Sequence, residues 1–269
     1  MTAYTSIFSS QTSTSKALTA LASNAKKGSI RSSVATHLNE HRLLPSTLTI
    51  PKLKTAHVNP YLDFWQWSCH NLEWAGPEPD TANVRQSHHI LPIFYHHFGC
   101  LCPSFEALEA IRLLGKGRPV LDIGSGNGYW TYMLRRMNIT VYAIDNGDSI
   151  WRTMWIGDTI KADGAKYLTQ SSYTSQGGGN GGKDAVLLLV YPQVTTAFTT
   201  AVLKAYKGST ICVAGTQNRN GFTGFKDILI DEYVLGELKD FEKIIQTPLP
   251  SFAGKDEALY VFERKKFAT

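Results

Sequence analysis

Short apolar runs alternate with stretches of helical period through the second half of the chain. Residues 120–123, 139–145, 185–190, 209–215, 241–246 and 258–264 are rich in Val, Ile, Leu and aromatics, which predicts strands. Between them, residues 194–206 and 225–238 carry apolar side chains at mixed spacings of three and four, and the residues from Tyr129 to Arg136 read as a further helix. Strands alternating with such helices argue for a parallel sheet covered on both faces. The short 248–256 connection suits a closing antiparallel hairpin. The longest clean apolar run, residues 185–190, falls far below the roughly 20 residues of a membrane span, so no membrane partner is expected.

Residues 120–128, V-L-D-I-G-S-G-N-G, put an acid and three alternating glycines directly after an apolar run. Gly124, Gly126 and Gly128 permit positive φ and let the backbone approach a ligand, and Asp122 at the strand end suits a cationic or hydroxyl-bearing group. The spacing discriminates between ligand classes. A dinucleotide fingerprint needs a third glycine at position 129, which is Tyr129, whereas an acid followed by alternating glycines fits Asp122, Gly124, Gly126 and Gly128.

On these residues the chain resembles the class I S-adenosylmethionine-dependent methyltransferases, over roughly residues 105 to 265. The resemblance implies a Rossmann-like α/β fold with a seven-stranded, mostly parallel sheet, helices on both faces and an N-terminal helical and aromatic cover. It implies S-adenosylmethionine as cofactor, held by Asp122, Gly124, Ser125, Gly126, Asn127 and Gly128. It also places the ribose hydroxyls on Asp145, whose two oxygens can accept both protons, and the adenine amino group on Asp163 at the end of a third strand in residues 159–164. Tyr191-Pro192 stands at the family's fourth motif, but Val190 precedes it where many amino-group methyltransferases carry Asp or Asn, and Gln193 follows. The substrate class stays open.

Charge divides the chain unevenly. Residues 1–54 carry seven Lys or Arg against Glu40, a net of +6 within a total of +5, so the remainder is near neutral at −1. Nucleic acid is therefore less favoured as a substrate than a small-molecule or protein acceptor. Residues 1–54 read as a basic, disordered tail, of which residues 1 to about 40 are dispensable for folding; the first 39 lack acids and abound in Ser and Thr, which alternatively suits a mitochondrial targeting segment with an unusually low Arg content. Cys69, Cys100, Cys102 and Cys212 come with no secretory signal and are expected reduced in a cytoplasmic protein.

Residues 55–104 form the expected cover, ahead of a methyltransferase domain at 105–269. Trp65, Trp67, Trp74, Phe94, Tyr95 and Phe98 lie here beside His70, His88, His89, His96 and His97. Such a segment is either a hydrophobic cover or a wall of the acceptor pocket. No metal is expected: His89 and His96 would lie about 10.5 Å apart on a helix, and paired CxxC spacing is missing. His88 and His89 are instead candidate general bases beside Tyr191, which would pack on the cofactor or orient the acceptor. Residues 176–183, Q-G-G-G-N-G-G-K, precede a strand and lack a Gly-Lys-Ser/Thr ending, so they read as a flexible insertion. Asn218, Arg219 and Asn220 follow the fifth strand and are either acceptor contacts or a solvated turn. The expected function is methyl transfer, with a catalytically inactive cofactor-binding protein of the same fold as the alternative.

Overall fold

A computed structural model of the chain describes residues 1–72, 77, 88–148, 151–171, 176, 178–192, 196–219, 227–252 and 254–266. Trp74, Gln193 and Asn220, singled out above, lie outside them, as does Gly177. Helices α1 (Thr2–Thr5), α2 (Thr14–Ser23), α3 (Ile30–Glu40), α4 (Pro60–Asn71) and α5 (Leu91–His97) precede α6 (Phe105–Gly115). There follow β1 (Val120–Ile123), α7 (Tyr129–Arg135), β2 (Val141–Asp145), β3 (Ile160–Lys161), α8 (Gly164–Thr169) and β4 (Val186–Val190). The chain closes with α9 (Thr196–Ala205), β5 (Thr210–Thr216), α10 (Ile230–Glu237), β6 (Phe241–Pro248) and β7 (Glu257–Arg264).

The seven strands form one sheet in the order β3-β2-β1-β4-β5-β7-β6, in which β7 runs antiparallel to both neighbours and the other pairings are parallel. The expected closing hairpin is the β6–β7 pair. Because successive side chains of a strand point to opposite faces, the continuous apolar run of β4 feeds two cores. Val186 and Leu188 pack with α1 to α7, whereas Leu187 and Leu189 pack with α8 to α10.

The expectation of a disordered tail is overturned. Residues 2–40 carry three α-helices and a 3-10 turn at Ser6–Phe8, and Leu18, Leu21, Val34 and Leu38 are buried in the same core as Trp65 and Leu188. The serines that read as disorder are caps: the side chains of Ser13 and Ser29 accept from the backbone N–H groups of Lys16 and Ser32 at 3.4 and 3.2 Å. The basic residues are structural as well. Arg31 donates to the Leu21 and Ala20 carbonyls at the end of α2, and Arg42 forks onto Glu106 at 3.1 to 3.2 Å. Leu43 then bridges to Gln246 on the β6 edge, which covers an otherwise open strand.

The glycine-rich stretch is also less loose than its composition implies. Gly179 and Gly181 donate to the Tyr167 and Leu168 carbonyls, and Lys207 donates back to Gly181. No helix among the described residues is long and apolar enough to cross a membrane.

Candidate functional site

β1 ends at Ile123, and the chain turns sharply through Gly124 at φ +77°, with both Gly124 and Ser125 donating to the Ile144 carbonyl of β2. A side chain is disfavoured at such φ, so glycine is required for this turn. The turn then reaches Asp145 at the end of β2. The Gly126 N–H donates to Asp145 Oδ2 at 2.9 Å and the Gly147 N–H to Oδ1 at 2.7 Å. The carboxylate is thus fixed by one backbone donor per oxygen, and each oxygen keeps a further lone pair for a ligand.

A cleft of about 550 Å³ opens here at the carboxyl ends of β1, β2 and β4. Of the sequence-predicted cofactor residues, Gly124, Ser125, Gly126, Asn127, Asp145, Asp163 and Tyr191 line it together. The Ser125 hydroxyl is buried there with no hydrogen-bond partner among the described residues. Asn127 braces the wall, donating to the Thr153 carbonyl at 3.2 Å and accepting from the Tyr129 N–H at 3.3 Å. Asp163 caps α8 by accepting from the Lys166 N–H at 2.9 Å on one oxygen, and the residue lines the cleft.

Two motif residues do something other than expected. Asp122 is wholly buried and absent from the lining; Thr131 donates to its Oδ2 at 2.7 Å, and burial pushes its carboxyl up to about 7 despite that bond. Gly128 also faces away from the cleft. A Cβ there would meet the Ile156 side chain at 2.4 Å, so its lack of a side chain admits the 151–157 loop, not a ligand.

His88 and His89 do not reach the cleft. Their rings stack on each other, and His88 sits 5.2 Å from Phe252 with its Nδ1 accepting the Ile90 N–H at the start of α5. The aromatic segment divides its work: Trp65 and Phe94 are core, whereas Phe98 and Gly99 to Leu101 form cleft wall. Asn218 and Arg219 are outside the lining too, donating to the Gly254 carbonyl and to Glu232.

Tyr191 occupies a left-handed conformation at φ +51°, a strained position for a bulky residue that its surroundings must over-determine. Its N–H donates to the Ala214 carbonyl at 2.7 Å, and its hydroxyl accepts from Lys255 Nζ at 2.8 Å. The same ammonium donates to the Tyr95 hydroxyl, lies 3.4 Å from Glu257 Oε1 and sits 4.5 Å over the Tyr191 ring. Burial alone would lower the Lys255 pKa, but Glu257 and the two phenols outweigh it and keep the ammonium charged. Burial raises Glu257 to about 7 against the pull of Lys255, and raises the Tyr191 phenol well above its ordinary value.

Lys255 and Glu257 escaped the sequence reading, as did the role of Tyr95, which counts there only as one aromatic of the cover. In Gly254-Lys255-Asp256-Glu257 the charges look like a solvated hairpin, and nothing local shows that α3, α5 and β4 close over it. His37 of α3 bonds to Asp256 at 2.8 Å, so even the first helices bear on this end of the site.

The strand order, with a glycine turn after β1 and an acid ending β2, decides the architecture. The chain has the Rossmann-like fold of the class I methyltransferases. Among solved structures it is similar to an S-adenosylmethionine-dependent methyltransferase from Anabaena variabilis, at 12% identity over 81% of this chain and 100% of that one, with a TM-score of 0.43. It is similar also to magnesium protoporphyrin IX methyltransferase from Synechocystis with bound SAH, at 12% identity over 69% and 92% of the two chains and a TM-score of 0.39. A third is a protein of the NADB-Rossmann superfamily from Streptococcus agalactiae, at 13% identity over 59% and 69%, with a TM-score of 0.35. No protein-family model matches the chain, and no curated protein matches it.

Proposed function

We propose that this protein is an S-adenosylmethionine-dependent methyltransferase acting on a small-molecule or protein acceptor. The observation that carries the reading is the carboxylate of Asp145, clamped between Gly126 and Gly147 at the mouth of a cleft on the carboxyl edge of the sheet, where open α/β folds take their ligands. The residues present fit the cofactor: Asp145 retains acceptor capacity for two hydroxyls, and the Ser125 hydroxyl supplies a buried polar group in want of a partner. When bound, S-adenosylmethionine supplies a methyl group on a sulfonium, already activated for transfer.

What remains for the protein is alignment and exclusion of water. Phe98, Trp130 and Phe198 give the cleft apolar surface, and Pro192 stiffens the turn that carries Tyr191. The Tyr191 oxygen accepts from Lys255, so its own proton is free to be donated to an acceptor atom. This makes Tyr191 an orienting donor. His88 and His89, outside the cleft, are not carried forward as bases.

The alternative, a cofactor-binding protein without turnover, draws on Val190, which offers no carboxylate or carboxamide to an attacking amine. Labelled methyl transfer into a cell extract separates the two. Incorporation that is lost in Tyr191→Ala, with cofactor affinity retained, supports the enzyme; tight cofactor binding with no incorporation into any extract fraction supports the alternative.

A further inference from the structure

Every described arginine except Arg152 donates to at least one oxygen. Arg31, Arg118, Arg135 and Arg264 reach backbone carbonyls, Arg42, Arg112 and Arg219 reach carboxylates, and Arg136 reaches the Tyr132 hydroxyl. Arg152 lines the cleft, yet among the described residues its Nε is buried without a partner, its Nη1 has only the Cys100 sulfur at 4.0 Å, and it forms no ion pair. A guanidinium always carries its charge and five donors, and leaving a buried donor unmet is costly.

This arginine is also held in place. The Thr153 N–H donates to the His96 carbonyl and the Trp155 N–H to the Asn127 carbonyl, both at 2.9 Å, while the Trp155 indole donates to the His97 carbonyl at 2.6 Å. The loop is therefore strapped to the end of α5 and to the glycine turn. The guanidinium carbon lies 4.7 Å over the Trp151 ring centre, a cation–π contact that positions it before any ligand arrives.

We propose that Arg152 is a carboxylate receptor at the Cys100 end of the cleft. The planar fork matches a carboxylate with two parallel hydrogen bonds. A more highly charged group such as a phosphate is disfavoured, because Asp145, Asp148 and Asp163 line the same cleft. The carboxylate belongs either to the amino-acid part of the methyl donor or to the acceptor; the inference rests on the cofactor reading given above.

The test is calorimetry on the full chain and on Arg152→Ala and Arg152→Lys. The first arm compares S-adenosylmethionine with its decarboxylated analogue. The second titrates benzoate into protein saturated with S-adenosylhomocysteine. A preference of about tenfold or more for the carboxylated donor in the parent, erased in Arg152→Ala and only partly kept in Arg152→Lys, assigns the receptor to the donor. A donor preference that survives, with benzoate binding abolished by Arg152→Ala, assigns it to the acceptor. Behaviour unchanged in both arms overturns the inference alone, whereas a parent protein that binds no S-adenosylmethionine overturns the cofactor reading and this inference with it.

Discussion

At one end of the cleft, the Asp145 carboxylate is held by backbone N–H groups 19 and 2 residues away along the chain; at the other, the Tyr191 hydroxyl is held by an ammonium 64 residues on, shared with a tyrosine 160 residues from that lysine. The first end uses neutral backbone donors on a carboxylate that lines the cleft. The second buries a lysine and a glutamate completely, the lysine donating to two phenols and facing the glutamate at 3.4 Å. A turn built on backbone geometry tolerates side-chain variation around it, whereas a buried charge depends on each of its partners. Substitutions at the two ends should therefore separate: ligand affinity should change at the Asp145 end, and folding at the Lys255 end.

The largest effect is expected from removing residues 1–40. This layer buries Leu18, Leu21, Val34, Leu38 and other apolar side chains, each worth about 1.5 to 3 kcal/mol, against a typical net stability of about 5 to 15 kcal/mol. The truncated chain should be insoluble or lack a cooperative thermal transition. A truncated chain that melts like the parent would show that the Lys255 end does not need α1 to α3.

Next in size, Lys255→Met should cost roughly 3 to 5 kcal/mol in urea unfolding, because Glu257 and two phenols lose their cation. Pairing it with Glu257→Gln should recover part of the loss. No recovery in the double variant would mean that the lysine acts through packing and not through charge.

These two predictions mark where the sequence was legible. The sheet, its closing hairpin and the turn at Gly124 to Asp145 could be read because strands announce themselves by β-rich apolar runs and the turn by glycines at fixed spacing. The tail was misread because its apolar positions are sparse and its serines, taken singly, fit disorder as well as caps. Only the partner surface on Trp65 and Leu188 distinguishes these outcomes. The Lys255 cluster had no local signature at all: Tyr95, Tyr191, Lys255 and Glu257 meet through sheet order and helix packing. Asp122 shows the converse, a motif residue whose spacing was right while its carboxyl turned inward to Thr131.

A smaller effect concerns pH. Asp122 and Glu257 are both raised to about 7 by burial, above the usual carboxylate range, so the folded state binds protons that the unfolded chain has released. Their contribution is complete below about pH 4 and is lost as pH rises through about 7, on the order of a few kcal/mol. Urea unfolding should thus show the protein more stable at pH 5 than at pH 8. Asp122→Asn, which can still accept from Thr131, should flatten that slope. An equally steep slope in the variant would assign the pH dependence to Glu257 alone.

The smallest change in stability and the clearest change in function should come from Asp145→Ala. Calorimetric titration of the parent and of this variant with S-adenosylmethionine tests the account most directly. Saturable binding at one site in the parent, weakened about tenfold or more in Asp145→Ala with the thermal transition little moved, is the predicted result. A parent that does not bind, or a variant with undiminished affinity, would contradict it.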